Sequence, residues 1–299
     1  MKQFDLHDSI LGKQAATPEK YDASLLFRIP RAENRVHYGI EASNLPFIGF
    51  DVWNCYEVSF LTDNGFPVSR VLKLVYSSES QYLVESKSLK LYLNSFNMDR
   101  FGKTVLEAEK TVGDIILRDL RLLLESEVFV SLFDSTVEVR KPFPSVSKVN
   151  LSSLVPNEVH ESIDFSRFKE SPELLRSQLT DSNHKYGFHS DLLRSNCRVT
   201  NQPDWGDLYV RIVTKHEIDL SSIIEYLVSF RKENHFHEEV VEMIYKRFYD
   251  IFEPEKLMVA ALYTRRGGID INPIRASHSE FIDETLISSE FRVEKTLRQ

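Results

Sequence analysis

From Phe50 onward the chain alternates apolar and polar positions through FDVWNCYEVSFL, breaks at Asp63-Asn64-Gly65, and resumes a β-branched pattern in VSRVLKLVYSSES. Two such runs about a turn-forming break predict a β-hairpin. The stretch TVLEAEKTVGDIILRDLRLLLESE then sets Val105, Val112, Ile115, Ile116, Leu120 and Leu123 at helical spacing, and VFVSLFDSTVEVR returns to strand character. The order recurs further on: CRVTNQPDWGDLYVRIV reads as strand, turn and strand, EEVVEMIYKRFYDIF as a helix and KLMVAALYTRRGG as a strand. The pattern predicts one module over residues 1–150 and a second over residues 151–299.

Small sequence echoes support a duplication. LYLNSFN (Leu91–Asn97) and EYLVSFR (Glu225–Arg231) share Tyr-Leu-x-Ser-Phe, each ahead of the long helix of its half, and DVW at Asp51–Trp53 echoes PDW at Pro203–Trp205. Lys141 to Ser190, rich in Ser, Pro, Asn and charge, reads as a connector, and the first forty-odd residues as an ordered arm leading into a strand.

Composition narrows the function classes. A chain of 299 residues with 42% hydrophobic and 11% aromatic content has the material for two ordinary cores. Asp plus Glu outnumber Lys plus Arg 45 to 37, a balance that repels a phosphate backbone and argues against a direct nucleic-acid partner. Two cysteines make no disulfide framework, the start MKQFDLHDSILGK lacks a secretory pattern, and no stretch approaches the roughly 20 apolar residues of a membrane span. The expectation is a cytoplasmic protein without a membrane anchor.

Four stretches carry candidate chemistry. In SNCRVTNQPDWG, Cys197 can be a nucleophile, since a thiol needs a nearby base or positive field to ionise at neutral pH, and Asp204 in the following turn can take and return its proton. A buried apolar cysteine beside a turn-capping aspartate accounts for the same letters. In FHEE, His237 and Glu238 open the second-half helix, where a carboxylate complements the helix dipole or, in a pocket, accepts from the N–H and NH2 donors of a guanine-type base. In VESKSLKLY, Glu85 can be a second such carboxylate and Lys87 and Lys90 can bind phosphates, or the segment is a solvated charged end. TRRGGIDINP places guanidinium forks beside glycines that let a ligand approach the backbone, which suits a phosphate or the 2′-phosphate of a nicotinamide cofactor; a plain hairpin turn is the alternative. No Rossmann or P-loop glycine pattern occurs. His184, His189, Cys197, His235 and His237 lack any zinc spacing, and Cys55, between aromatic strand residues, reads as core.

Together ESKSLKLYLNSFN, SNCRVTNQPDWG, FHEE and YTRRGGIDINP, in that order, resemble the NADPH-dependent 7-cyano-7-deazaguanine reductases in their long, two-module form; YDASLLFRIPRAENR and NLPFIGFDVWNCYE extend the likeness over most of the chain. The resemblance implies an α+β fold of two tandem tunnelling-fold modules, antiparallel sheets with helices on one face. It also implies a homodimer and the two-NADPH reduction of a nitrile to an amine in queuosine biosynthesis. By the same resemblance Cys197 forms a covalent thioimide and Asp204 donates a proton to nitrogen. Glu85 and Glu238 hold the deazaguanine edge with Val84, Ser86 and His237 beside them. Ser86, Lys87, Arg266 and Gly267 contact NADPH. No metal is implied. A cysteine hydrolase, a zinc-dependent cyclohydrolase relative and a non-catalytic purine-binding module are the competing functions.

Overall fold

A computed structural model describes residues 18–134, 140–141, 149–294 and 299. In the first half, β1 (Arg28–Pro30) and α1 (Arg31–Arg35) lead to β2 (Ile48–Leu61), β3 (Pro67–Ser77), β4 (Tyr82–Val84), α2 (Ser86–Asn94), α3 (Val105–Leu124), β5 (Val128–Phe133) and β6 (Arg140–Lys141). The second half runs through α4 (Asn157–Ser162), β7 (Ser177–Cys197), β8 (Pro203–Ile218), α5 (Leu220–Ser229), β9 (Asn234–His235), α6 (His237–Phe252), β10 (Lys256–Tyr263), β11 (Ile269–Ala276), α7 (Glu284–Ile287) and β12 (Arg292–Val293).

The architecture is α+β. Eight strands form one sheet in the order β5-β3-β2-β11-β10-β8-β7-β9, antiparallel except where the short β9 runs parallel to β7. The halves are joined through β2 and β11, paired from Ile269↔Cys55 to Ala276↔Ile48. Successive side chains of β10 face opposite ways, as strand geometry requires. Leu257, Val259, Ala261 and Tyr263 enter the core that includes α5 and α6, while Met258, Ala260 and Leu262 pack with Phe281 and Leu286. The long helices therefore lie over one face, and the chain from Phe281 onward, including the short α7, covers part of the other. The helix α3 begins with a capping box, Thr104 Oγ1 accepting from the Glu107 N–H and the Glu107 carboxylate accepting from Thr104 N–H.

The first hairpin, the long helix of each half and β10 fall where the hydrophobic pattern predicts. The arm is ordered from Pro18: Tyr21, Leu25 and Leu26 pack on the first-half core, and the Tyr21 hydroxyl donates to Asp119 Oδ2 at 2.5 Å. Other expectations change. The connector does not extend to Ser190, because β7 begins at Ser177. The residues Ser177–Gly187 are exposed or half-buried, so they carry no apolar alternation to reveal a strand. Cys197 accordingly closes the strand that precedes CRVTNQPDWG, and Asp204 is the second residue of β8 rather than part of the turn. The DVW and PDW echo does not mark equivalent positions, since Asp51 lies on the first strand of its hairpin and Asp204 on the second. The tail of VFVSLFDSTVEVR and the start of the connector lie largely outside the described residues.

Candidate active site

One cavity of about 300 Å³ lies between the two halves, at the lower end of the ~300–1,000 Å³ usual for small-molecule sites. Its wall contains Val84, Glu85, Ser86 and Lys87 from β4 and the start of α2. Cys197 and Asp204 come from the ends of β7 and β8, His237 and Glu238 from the start of α6, and Arg266 and Gly267 from the β10–β11 turn. Residues far apart in sequence meet because the β2–β11 pairing sets the β10–β11 turn beside the first half, while the N-termini of α2 and α6 open toward the same space.

Cys197 is half-buried at the mouth of a tight turn, in which its N–H donates to the Gln202 carbonyl at 2.8 Å and its carbonyl accepts from the Asn201 N–H at 2.9 Å. Burial pushes the thiol up and the Asp204 carboxylate adds to that. Hydrogen bonds from the Thr200 hydroxyl and from the Thr200 and Val199 N–H groups outweigh both, and the thiol lies below its ordinary range. The turn and the Asp204 carboxylate thus act on the resting thiol in opposite senses.

Asp204 is buried. Burial pushes its carboxyl up, but His237 and then Arg266 more than compensate, holding it below the usual carboxylate range. His237 Nε2 is 3.4 Å from Asp204 Oδ2, and Arg266 Nη1 donates to Asp204 Oδ1. The His237 ring stacks on Tyr263 at 3.8 Å between centroids and 3° between planes. Tyr263 in turn lies against Gly206, where a Cβ would come within 3.1 Å of the ring, so a side chain there would displace the stack. Arg266 Nη2 also donates to Thr200 Oγ1 at 3.1 Å and to Gln202 Oε1 at 3.0 Å.

The two carboxylates differ. Glu85 caps α2, accepting from Lys87 N–H at 3.0 Å and Ser88 N–H at 2.6 Å. Glu238 is buried, and burial followed by the nearby Asp51 carboxylate pushes it up to about 8. Around it lies a buried ion network: Arg31 and Arg275 pair with Asp51, and Arg31, Arg35 and Arg275 with Glu242. The same guanidinium groups draw Glu242 down to about 2 against the opposing effect of its burial.

The rim is basic. Lys87 is exposed, Lys90 Nζ lies 3.4 Å from Glu57 Oε2, and Arg266 is one-third exposed. Gly267 and Gly268 have φ of 57° and 80°, in the left-handed region, and a Cβ on Gly268 would collide with the Glu57 carboxylate. Sequence reading missed Thr200 and Trp53, both in the wall. The Trp53 Nε1 and His237 Nδ1 atoms are buried and find no hydrogen-bond partner among the described residues. For Trp53 the alternation of β2 gave an inward direction but not the cavity.

Of the five residues considered for zinc, His184 and His189 lie along β7 away from the cavity, and among the described residues no three His, Cys, Asp or Glu side chains are grouped as metal ligands. Cys55 is fully buried, and burial then Asp270 push its thiol far up. No helix among the described residues is long and apolar enough to cross a membrane.

Residues 17–132 match the family model described as nitrile reductase, 7-cyano-7-deazaguanine-reductase N-term, and residues 203–281 match that of QueF-like protein. The chain is 39% identical over 279 residues to the NADPH-dependent 7-cyano-7-deazaguanine reductase of Colwellia psychrerythraea, covering 92% of this chain and 94% of the relative. Those of Acidovorax ebreus and Rickettsia massiliae are each 38% identical, over 91% and 92% of this chain and 94% and 95% of theirs.

Proposed function

The chain belongs to the NADPH-dependent 7-cyano-7-deazaguanine reductase family, and we propose that it reduces the nitrile of 7-cyano-7-deazaguanine to the primary amine through a covalent thioimide on Cys197, as a step in queuosine biosynthesis. It is an oxidoreductase that uses NADPH. The observation that carries the reading is the meeting of all four candidate motifs around one cavity, with a thiol drawn toward its anion at one end and a basic rim at the other.

Glu85 and Glu238 accept from the N–H donors of the deazaguanine edge, with Val84, Ser86 and His237 beside them. This leaves the nitrile directed at Cys197. Cys197 sulfur adds to the nitrile carbon, one C≡N π bond becoming the bond that takes a proton at nitrogen. The thiol proton reaches that nitrogen through Asp204, which His237 and Arg266 hold as a carboxylate ready to relay it. The gain is chemical: a weakly electrophilic triple bond becomes a C=N carbon that accepts hydride readily.

The residues present fit the cofactor. Lys87, Lys90 and Arg266 supply cationic donors for phosphate groups, and the Gly267 backbone can be approached closely. NADPH held against Ser86, Lys87, Arg266 and Gly267 would supply a hydride to the thioimide carbon, and a second NADPH taken up in its place would supply one to the imine carbon. Between the two, Cys197 leaves as a thiolate, and the turn that favours that anion before attack receives it again. The apolar wall of Ile29, Trp53, Leu83, Ile269 and Ile271 limits hydrolysis of the intermediates.

The finer fold reading is two tandem tunnelling-fold modules, residues 1–150 and 151–299. It is supported by the repeated order of two hairpin strands, a short helix, a long helix and a further strand. A cytoplasmic homodimer that contacts neither nucleic acid nor membrane completes the proposal. The test is NADPH oxidation with 7-cyano-7-deazaguanine and identification of the product by mass. The proposal requires two NADPH consumed per aminomethyl product; loss of the nitrile without NADPH consumption would mean a hydrolase.

A further inference from the structure

We propose that Arg198 is a positioning residue for the attack: its guanidinium ties the turn that follows Cys197 to Asn34 on α1 and to Glu239 on α6, and so sets where the nucleophile stands relative to the pocket that holds the base. The inference rests on the reading of Cys197 as the nucleophile and deepens it.

A cysteine side chain has one heavy-atom torsion, so its backbone decides where the sulfur can stand. Cys197 ends β7, and β8 resumes only at Pro203. The backbone bonds between Cys197 and Gln202 and between Asn201 and Cys197 close the turn on itself, and side chains fix it to the rest of the molecule. On its far side Arg266 Nη2 donates to Thr200 Oγ1 at 3.1 Å and to Gln202 Oε1 at 3.0 Å, and Asn234 Nδ2 donates to Asn201 Oδ1 at 2.7 Å. On the side of the nucleophile Arg198 Nη1 donates to Asn34 Oδ1 at 2.5 Å and to Glu239 Oε1 at 3.0 Å.

Both acceptors stand on a fixed base. Asn34 and Glu239 are buried, and α1 is locked to α6 by Arg35, whose Nε and Nη2 donate to the two Glu242 oxygens at 2.8 and 2.7 Å. Glu239 and Glu242, three residues apart on α6, face the same side of the helix. The second Glu239 oxygen accepts from the Phe236 N–H at 3.3 Å, at the entrance of the helix that brings His237 and Glu238 to the cavity. One carboxylate thus joins the turn after the nucleophile to the segment proposed to recognise the base. Productive attack needs the reacting atoms about 3–3.5 Å apart and aligned, so a small shift of the turn costs rate without removing any contact to the base.

The experiment follows adduct formation on the full chain at saturating 7-cyano-7-deazaguanine without NADPH, by rapid quenching and intact mass. Beside it stand the Kd of 7-deazaguanine, which has no nitrile, by calorimetry, and amide hydrogen exchange of Cys197 and Asn201 without ligand. Arg198→Met should slow the adduct about tenfold, keep the Kd of 7-deazaguanine within about twofold and speed the exchange of both amides. Arg198→Lys, which keeps a cationic donor, should recover most of the rate. A thermal melt establishes that each variant is folded; should Arg198→Met fail it, Asn34→Ala, which removes one acceptor and strands no charge, takes its place with the same expectations. An adduct rate within about twofold of the unaltered protein would overturn the proposal. So would a Kd weakened as much as the rate, because Arg198 would then serve the base pocket and not the nucleophile. Absence of any adduct in the unaltered chain would instead contradict the nucleophile reading, and unchanged amide exchange in Arg198→Met would then overturn the role of Arg198 independently.

Discussion

The two halves of the molecule share a plan and differ in what their hairpins do. Tyr92 and Tyr226, at the same place in the repeated Tyr-Leu-x-Ser-Phe, are both fully buried. Their hydroxyls donate to Asp119 at 2.8 Å and to Glu170 at 2.9 Å. Their rings meet Phe96 and Phe230 edge-on at 5.2 and 5.3 Å, and Ser95 and Ser229 each donate to the tyrosine carbonyl at 2.6 Å. The hairpins diverge. In the first half Cys55 lies inside β2, where burial leaves its thiol protonated, and the turn beyond it is closed by Thr62 and Gly65. In the second half Cys197 stands at the very end of β7, where hydrogen bonding from the following five-residue turn draws its thiol below the ordinary range. The same residue type is inert in one setting and poised in the other, and backbone placement makes the difference.

Exchanging either cysteine for alanine should expose that contrast most sharply. Cys197→Ala is expected to lower kcat by a factor of at least ~10³, as for loss of a covalent nucleophile. Cys55→Ala should keep kcat within about twofold while lowering stability by ~1–2 kcal/mol through a small cavity. Comparable activity losses from the two variants would contradict the assignment. At the rim, Arg266→Ala should reduce the preference for NADPH over NADH, measured as the ratio of kcat/KM values, by about tenfold; an unchanged ratio would remove Arg266 from phosphate recognition.

The carboxylates in the second half give a pH test. Glu238 is raised from 4.5 to about 8, so between those values the folded state binds more protons than the unfolded chain and stability falls as pH rises. Glu242, lowered to about 2, has its stabilising contribution complete above pH 5 and does not vary across that window. The melting temperature should therefore fall less between pH 5 and 8 in Glu238→Gln than in the unaltered protein. An equal fall in both would place the titrating group elsewhere. Smallest of all, Tyr92→Phe and Tyr226→Phe should each cost ~1 kcal/mol, the value of one buried hydrogen bond. A cost confined to one of them would break the equivalence of the halves.

Legibility in the sequence followed the range of the interaction. Hairpins, helices and the Tyr-Leu-x-Ser-Phe repeat depend on neighbours a few residues apart, and the periodicity announces them. The strand β7 escaped because Ser177–Gly187 lie beyond the reach of β9, which pairs only with Asn196 and Cys197, and stay exposed or half-buried; β11 escaped because Pro273 interrupts its short Ile-Asp-Ile-Asn alternation. Motif spacing identified Cys197 and Asp204 as neighbours. It did not reveal that Arg266 reaches both Asp204 and Thr200, or that Arg31, Asp51, Glu242 and Arg275 surround Glu238, because those contacts join distant segments.

The covalent role of Cys197 is tested most directly by intact-protein and peptide mass spectrometry after incubation with 7-cyano-7-deazaguanine in the absence of NADPH. The expected result is one added substrate mass per chain, on the peptide containing Cys197, absent from Cys197→Ala and reversed when NADPH is supplied. No adduct in a chain that still turns over, or an adduct retained by Cys197→Ala, would contradict the thioimide.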